Sequence, residues 1–221
     1  MANRLPDDAR IYASATLNGA LAVMPLKKRM EALDCFDFYH EQLGRVGEQG
    51  KPLDVAYTIH LKIDEHVDAM LATSRHAKDV TCRKGCAACC HTYVGIFPHE
   101  ARLLREVAAE AGIEIDEARL ARQAEKTEAT WLELSPEDRR CVFLGDDRAC
   151  QVYEHRPNAC RKYLVKSEPE LCDVDKYRGG DVTVVYSLEA EIVHSAAMTV
   201  FGRGSDSMAV SLLAVKEGDQ S

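Results

Sequence analysis

The sequence predicts a mainly α fold, a helical domain with minor extended segments. Three observations carry that prediction. Apolar residues recur at helical spacing along residues 26–46 and again along 54–73. Pro98 opens a further periodic run that closes at Gly112. The short apolar runs that read as extended are confined to the region around the later cysteines and beyond it.

Taken in order, Leu17–Leu26 (LNGALAVMPL) is mildly apolar and could imitate a signal-peptide core. Asp7 and Asp8 precede it and Asn18, Gly19 and Pro25 interrupt it, so a loop or short helix is expected instead. Leu26, Met30, Leu33, Phe36, Leu43 and Val46 then mark one helix face. Ala56, Ile59, Ile63, Val67 and Met70 mark a second. Gly44, Gly47, Gly50 and Pro52 supply the connector, which gives an antiparallel helix pair. After a first cysteine block, Pro98 begins a helix through Ala101, Leu103, Leu104 and Val107. Another is expected from Asp116 to about Leu134, its charged face solvated. Val142-Phe143-Leu144 and Gln151-Val152-Tyr153 read as extended, with a turn at Gly145-Asp146-Asp147 and a short helix from Pro157. Beyond Gly179-Gly180, residues 182–200 and 208–215 fit strand or helix equally. The expected division is a helical extension over 1–76, a cysteine-cluster domain over 77–172 and a C-terminal segment over 173–221 packed on the same core.

The chain of 221 residues is long enough to bury a core without metals or disulfides. Its 46% hydrophobic and 29% charged residues are those of an ordinary globular protein. A net charge of -8 argues against nucleic-acid or membrane-surface binding, which rests on Lys and Arg meeting phosphates. No apolar run reaches the length of a membrane span. The expected compartment is therefore the reducing cytoplasm, where clustered thiols bind metal more readily than they pair.

Nine cysteines are present. Cys35 stands alone on the first long helix and is expected to be apolar filler. The others form two blocks, Cys82, Cys86, Cys89 and Cys90, then Cys141, Cys150, Cys160 and Cys172. Thiolates are soft, charged donors suited to zinc and to iron–sulfur clusters. Close spacing aims several at one point. The intervening segment from Pro98 to Arg140 brings the second block back to the first. Consecutive side chains point apart, so Cys89 and Cys90 would not readily share one mononuclear zinc. Either one packs in the core or each serves a different metal of a compact site. Arg83, Lys84, Arg156, Arg161 and Lys162 flank the blocks and could offset thiolate charge. The eight block cysteines are the predicted metal ligands, Cys172 the least secure of them. An iron–sulfur cluster is slightly favoured over zinc or iron alone, because eight sulfurs with an adjacent pair exceed one tetrahedral site. The mainly α domain is thus expected to wrap a cysteine-thiolate metal centre.

The histidines add little. His91, His99 and His155 read as surface or loop residues, with His91 the best candidate for an extra ligand, and a cysteine nucleophile paired with one of them is conceivable. His40, His60, His66 and His76 read as polar-face helix residues. Gly202-Arg203-Gly204 lacks the strand–turn–helix context of a phosphate loop.

Both blocks together resemble the YkgJ-like cysteine-cluster family, described as zinc- or iron-chelating and as iron–sulfur-cluster-containing. Its pattern is CxxCxxCC or CxxxCxxCC, then C-x-F-L, then C-x-apolar-Y-x-x-R-P-x-x-C-R. Here stand Cys82-x3-Cys86-x2-Cys89-Cys90, Cys141-Val-Phe143-Leu144, and Cys150-Gln-Val-Tyr153-Glu-His-Arg156-Pro157-Asn-Ala-Cys160-Arg161. The resemblance covers residues 82–172. It implies a small metal-chelating domain, largely cytoplasmic and bacterial, that also occurs in a flagellin lysine methylase, and so a possible redox or methyl-transfer setting. Three functions compete: a metal-binding protein, a radical S-adenosylmethionine or methylation-related enzyme, and a structural zinc module for a protein partner. Cys82-x3-Cys86-x2-Cys89 matches the radical-enzyme spacing. Ala88 stands where an aromatic is usual there, and the strands of a six-strand half-barrel are missing from the pattern.

Overall fold

A computed structural model describes residues 14–75, 77–83, 85–177, 182–202 and 206–215. Asp7, Asp8, His76, Lys84, Gly179, Gly180, Arg203 and Gly204, singled out above, lie outside the described residues.

The chain is mainly α. Leu17–Leu26 is indeed helical in its first part. Helix α1 (Ala15–Val23) starts at Ser14, whose hydroxyl accepts the Leu17 N–H, and stops short of Pro25. Helix α2 (Leu26–Gln49) ends at Gly50. Helix α3 (Pro52–Thr73) begins on a first-turn proline, with the Asp54 carboxylate accepting the Lys51 N–H. The two run antiparallel, with Tyr39 Oη 2.6 Å from His66 Nε2. Phe36 and Leu43 of α2 and Ile59, Ile63 and Val67 of α3 are buried as the spacing predicts, whereas Leu26 is 72% exposed at the helix start.

Helix α4 (Pro98–Ala111) has the predicted limits. Gly112 takes φ 66°, which a β-carbon disfavours, and Ile113 N–H returns to the Ala108 carbonyl. The single helix expected over 116–134 is broken. Helix α5 (Glu117–Ala124) is capped by Asp116, and a 3-10 turn over Glu128–Glu133 follows. Thr130 Oγ1 accepts the Thr127 N–H, and Trp131 is drawn inward, where its Nε1 donates to the His91 carbonyl. Tertiary burial of the tryptophan overrides local propensity. The charged face of α5 is not wholly solvated either. Arg119 and Arg122 pair with Glu137 and Asp138 of helix α6 (Pro136–Arg139).

Val142–Leu144 is a turn rather than a strand. Leu144 N–H returns to the Cys141 carbonyl, and only a Leu144–Cys150 bridge is extended. Residues 151–153 likewise turn into a 3-10 segment, Tyr153–His155, instead of extending. Helix α7 (Asn158–Lys162) follows Pro157 as expected. Helix α8 (Val174–Tyr177) lies beyond a 3-10 turn, Pro169–Cys172. The ambiguous stretch 182–200 holds a two-residue strand and then helix α9 (Leu188–Val200). Residues 208–214 form helix α10 (Met208–Ala214). Strand β1 (Gly95–Ile96), β2 (Leu164–Val165), β3 (Val184–Val185) and β4 (Asp206–Ser207) make two antiparallel ladders, β1 with β4 and β2 with β3. These short ladders are not the half-barrel that radical-enzyme chemistry uses.

Two apolar clusters form the interior. One joins α1, α2 and α3 to α9. Ala190, Ala196 and Ala197 are fully buried there, small enough to let α9 lie close against its neighbours. Gly47 serves the same end: a β-carbon there would stand 2.8 Å from the Phe201 ring. The second cluster joins α4, α5 and α10 to Val142, Phe143 and Val152 of the second cysteine block. Among the described residues, no helix is long and apolar enough to cross a membrane.

Candidate metal centre

The first cysteine block is pinned against β2. Thr81 N–H donates to the Val165 carbonyl and its hydroxyl to that of Ser167 (2.7 Å). In return Val165 N–H donates to Cys82 Sγ at 3.3 Å. Gly85, at φ 86°, reverses the chain so that Cys86 N–H reaches the Arg83 carbonyl. Cys89 and Cys90 lie in a 3-10 turn, Ala88–His91, closed by Thr92 on the Cys89 carbonyl. The two blocks then touch directly, with Cys141 N–H donating to the Cys90 carbonyl at 2.8 Å. The Phe143 and Val152 amides lie against the Cys141 and Cys150 sulfurs, each two residues on. The Cys82 sulfur thus receives a backbone N–H donor, and the nearby Phe143 and Val152 amides favour the charged forms of Cys141 and Cys150.

Cys82, Cys86, Cys89, Cys90, Cys141, Cys150 and Cys160 line one cavity of about 360 Å3. The adjacent pair does not divide between cavity and core. Cys89 and Cys90 both line the cavity, and Cys90 acts directly on the Cys89 thiol. Cys160 presents much of its surface to the cavity while protein crowds it behind. Cys172 is placed differently. It is buried at the end of its 3-10 turn, outside the cavity wall, yet within electrostatic reach of Cys89, Cys82 and Cys86. Cys35 packs on the α2–α3–α9 cluster, away from the wall, as expected.

Burial pushes the Cys141 and Cys160 thiols up to about 12 and Cys172 to about 11. Cys89 is raised by the neighbouring Cys90 thiol and then by burial. Burial also raises Cys82 and Cys150, against the backbone donors that favour their charged forms. These thiols hold their protons at neutral pH until a cation displaces them. The wall is prepared for the charge that results. Arg83, Arg139, Arg156 and Arg161 all line it. Arg156 lies 4.1 Å over the Tyr153 ring and acts on Cys150 and Cys160. Arg161 is buried between Asp64 and the Glu154 carbonyl, and Arg139 between the Leu134 carbonyl and Asp175. Lys162 turns away to Glu191. The donor set thus fits a thiolate-held metal or cluster. Among the described residues, no three donors already stand together as a closed ion-binding group; the sulfurs ring the cavity.

Two histidine expectations are corrected. His60 is not on a polar face but buried against Glu100, and His99 is buried, stacked on Phe97. Both point inward because α3 and α4 pack along that side. His91 lines a separate polar cleft with Arg148 and Asp173 rather than the cavity. His155 sits edge-on to Tyr57, His40 against Phe36. Arg139 and Trp131 are cavity residues that the sequence reading missed. The lone tryptophan between the cysteine blocks was the available signal for the second.

Against known proteins, no curated protein and no solved structure matches the chain. Residues 81–177 do match a family, CxxCxxCC, described as "Putative zinc- or iron-chelating domain". That segment holds all eight block cysteines and every wall sulfur, so the similarity to the CxxCxxCC family falls on the cavity wall itself.

Proposed function

We propose that this chain is a metal-binding protein whose centre is held by Cys82, Cys86, Cys89, Cys90, Cys141, Cys150 and Cys160, with Cys172 as the eighth candidate thiolate. The observation that carries the reading is the convergence of seven cysteines from both blocks on one cavity walled by four arginines. Disulfide pairing explains none of the arginines, and apolar filling explains neither them nor the Val165 N–H on the Cys82 sulfur. An iron–sulfur cluster is the favoured occupant over zinc or iron alone. Sulfurs bind a single tetrahedral zinc at about 2.3 Å and so must close on one point. Here they surround a larger volume, which suits a centre of several atoms. Such a centre supplies electron transfer or a Lewis-acid iron, tuned by amide donors and nearby cations. The chain's own part is to desolvate the thiols, offset their charge and exclude bulk water. The net charge of -8 fits a cytoplasmic protein that does not bind nucleic acid.

Anaerobic purification with elemental analysis, sulfide assay and visible absorbance tests this. Stoichiometric iron and sulfide with broad brown absorbance that bleaches on reduction is expected. Stoichiometric zinc without iron or sulfide would overturn the cluster and leave a structural zinc module. No metal at all would overturn the metal-binding reading.

A further inference from the structure

Outside the cysteines, helices α3, α4, α7 and α9 enclose a polar node. Glu100 of α4 is 1% exposed. Its Oε2 accepts the Phe97 N–H at 2.9 Å; its Oε1 accepts the Asn158 N–H at 2.7 Å and lies 3.2 Å from His60 Nε2. Glu100 therefore fixes both the start of α4 and the first residue of α7, the helix that presents Cys160 two residues later. It also lies in electrostatic range of the Cys160 sulfur. His60 is 4% exposed, and its Nδ1 has no partner among the described residues. Neither side-chain polar atom of the buried Asn158 has one either. The charged and titratable groups acting on His60 are Glu100 and His99 from α4, Arg161 from α7 and Asp64 from α3 itself. His194 of α9 acts on Glu100. A buried carboxylate with histidines around it is no more stabilising than apolar packing would be, so stability alone does not account for it.

We propose that the His60–Glu100 pair positions the Cys160 arm of the metal centre and stores a proton at His60 Nδ1 when the centre becomes negative. The inference rests on the thiolate-centre reading above. Four thiols that bind a divalent cation release four protons and leave a net charge of about -2 on the site. In the balanced step one S–H bond breaks and one N–H bond forms at His60 Nδ1, the remaining protons leaving to water. The Nε2–H stays with Glu100, so the node becomes an imidazolium–carboxylate pair whose Glu100 lies in electrostatic range of Cys160. Burial, opposed by the Glu100 hydrogen bond and assisted by Arg161, holds His60 below the ordinary histidine range. The ring is thus neutral at pH 7 before thiolate charge accumulates.

The test follows the assigned His60 ring resonance by NMR from pH 4 to 8, in wild-type protein free of metal and loaded with zinc as probe. The titration midpoint is expected to rise by about one unit on loading, a tenfold gain in proton affinity. In chelator competition, His60→Gln is expected to weaken zinc binding several-fold more at pH 6 than at pH 8, where His60 holds no extra proton and only its positioning of the Cys160 arm is lost. A merely structural role lowers both alike. Equal midpoints in the two forms, or equal losses at the two pH values, overturn the proposal while leaving the metal centre intact. Failure of wild-type protein to bind zinc or iron overturns both.

Discussion

Replacing Lys162 with methionine should reverse the pH dependence of stability. Lys162 closes α7, and its Nζ lies 2.7 Å from Glu191 Oε2 on α9. The Glu191 side chain is 2% exposed and that of Lys162 is 19% exposed. The Ser14 hydroxyl donates to the other carboxylate oxygen. The pair ties the helix that carries Cys160 to the α2–α3–α9 core. Burial pushes Glu191 up, but the Lys162 charge and hydrogen bond, with Ser14 and His194, outweigh it and hold the carboxyl below its ordinary 4.5. In the wild type this contribution is therefore present above pH 4.5 and lost as pH falls through the depressed native value. Methionine keeps the apolar stem and removes the charge. Burial then prevails and raises the native value, so the stabilising state becomes the protonated one, lost as pH rises. Stripping the partner from a buried charge costs about 3–5 kcal/mol. The partial exposure of Lys162 puts this case near the lower end, about 3 kcal/mol at pH 7. That corresponds to about 6–12 °C in Tm for a chain of this size. Each pH unit below neutrality recovers up to about 1.4 kcal/mol in the variant until its carboxyl is protonated. Thermal melts by circular dichroism at pH 7 and pH 5 should show the deficit at least halved at pH 5. The same deficit at both pH values would refute the reasoning.

Two other measurements bear on the centre. Cys89→Ser or Cys141→Ser should lower the bound metal, while Cys35→Ser, on the far apolar cluster, should leave it unchanged; equal loss in Cys35→Ser by elemental analysis would show the lone cysteine misassigned. Trp131, the single tryptophan, lines the cavity, so its emission reports the occupant. Chelator stripping should raise tryptophan fluorescence at least twofold if an absorbing iron–sulfur centre quenches it, and unchanged intensity on loss of stoichiometric iron would contradict that.

What the sequence disclosed, it disclosed through local chemistry. Pro98, Gly112, Pro52 and Asp116 mark helix limits because capping is decided within one turn. The 116–134 helix was misjudged because Trp131 answers to a carbonyl forty residues away, which no local pattern reveals. Val142–Leu144 is apolar enough for a strand, yet Cys141 is held by Cys90 and the chain must turn to place Cys150. His60 looked like a polar-face residue because its partner, Glu100, is likewise forty residues distant. The convergence of seven cysteines on one cavity was legible because thiol clustering is rare by chance; Arg83, Arg156 and Arg161 of the wall were legible beside them, whereas Arg139 was not, since it reaches the cavity through α6. Cys172 differs from the other seven in lying outside the wall, a difference spacing alone does not carry.

The position of the cavity gives the centre a structural consequence. Val67 in its wall belongs to the α2–α3–α9 cluster, whereas Phe143, Val152, Met208 and Ala209 belong to the α4–α5–α10 cluster. The cavity thus sits at the seam of two apolar cores, each already closed by its own contacts. A chain of this length can bury such cores without a metal. The segments that cross the seam are held differently: residues 82–90 by a few backbone hydrogen bonds to β2 and Cys141, and Cys160 by a five-residue helix. Removing the metal should therefore open the seam and spare the cores. Hydrogen exchange before and after chelation should show protection falling about tenfold or more over 82–92 and 141–165, with α2, α3 and α9 unchanged. Uniform loss of protection, α2 and α9 included, would show that the metal holds the whole fold together and that the two cores are not self-sufficient.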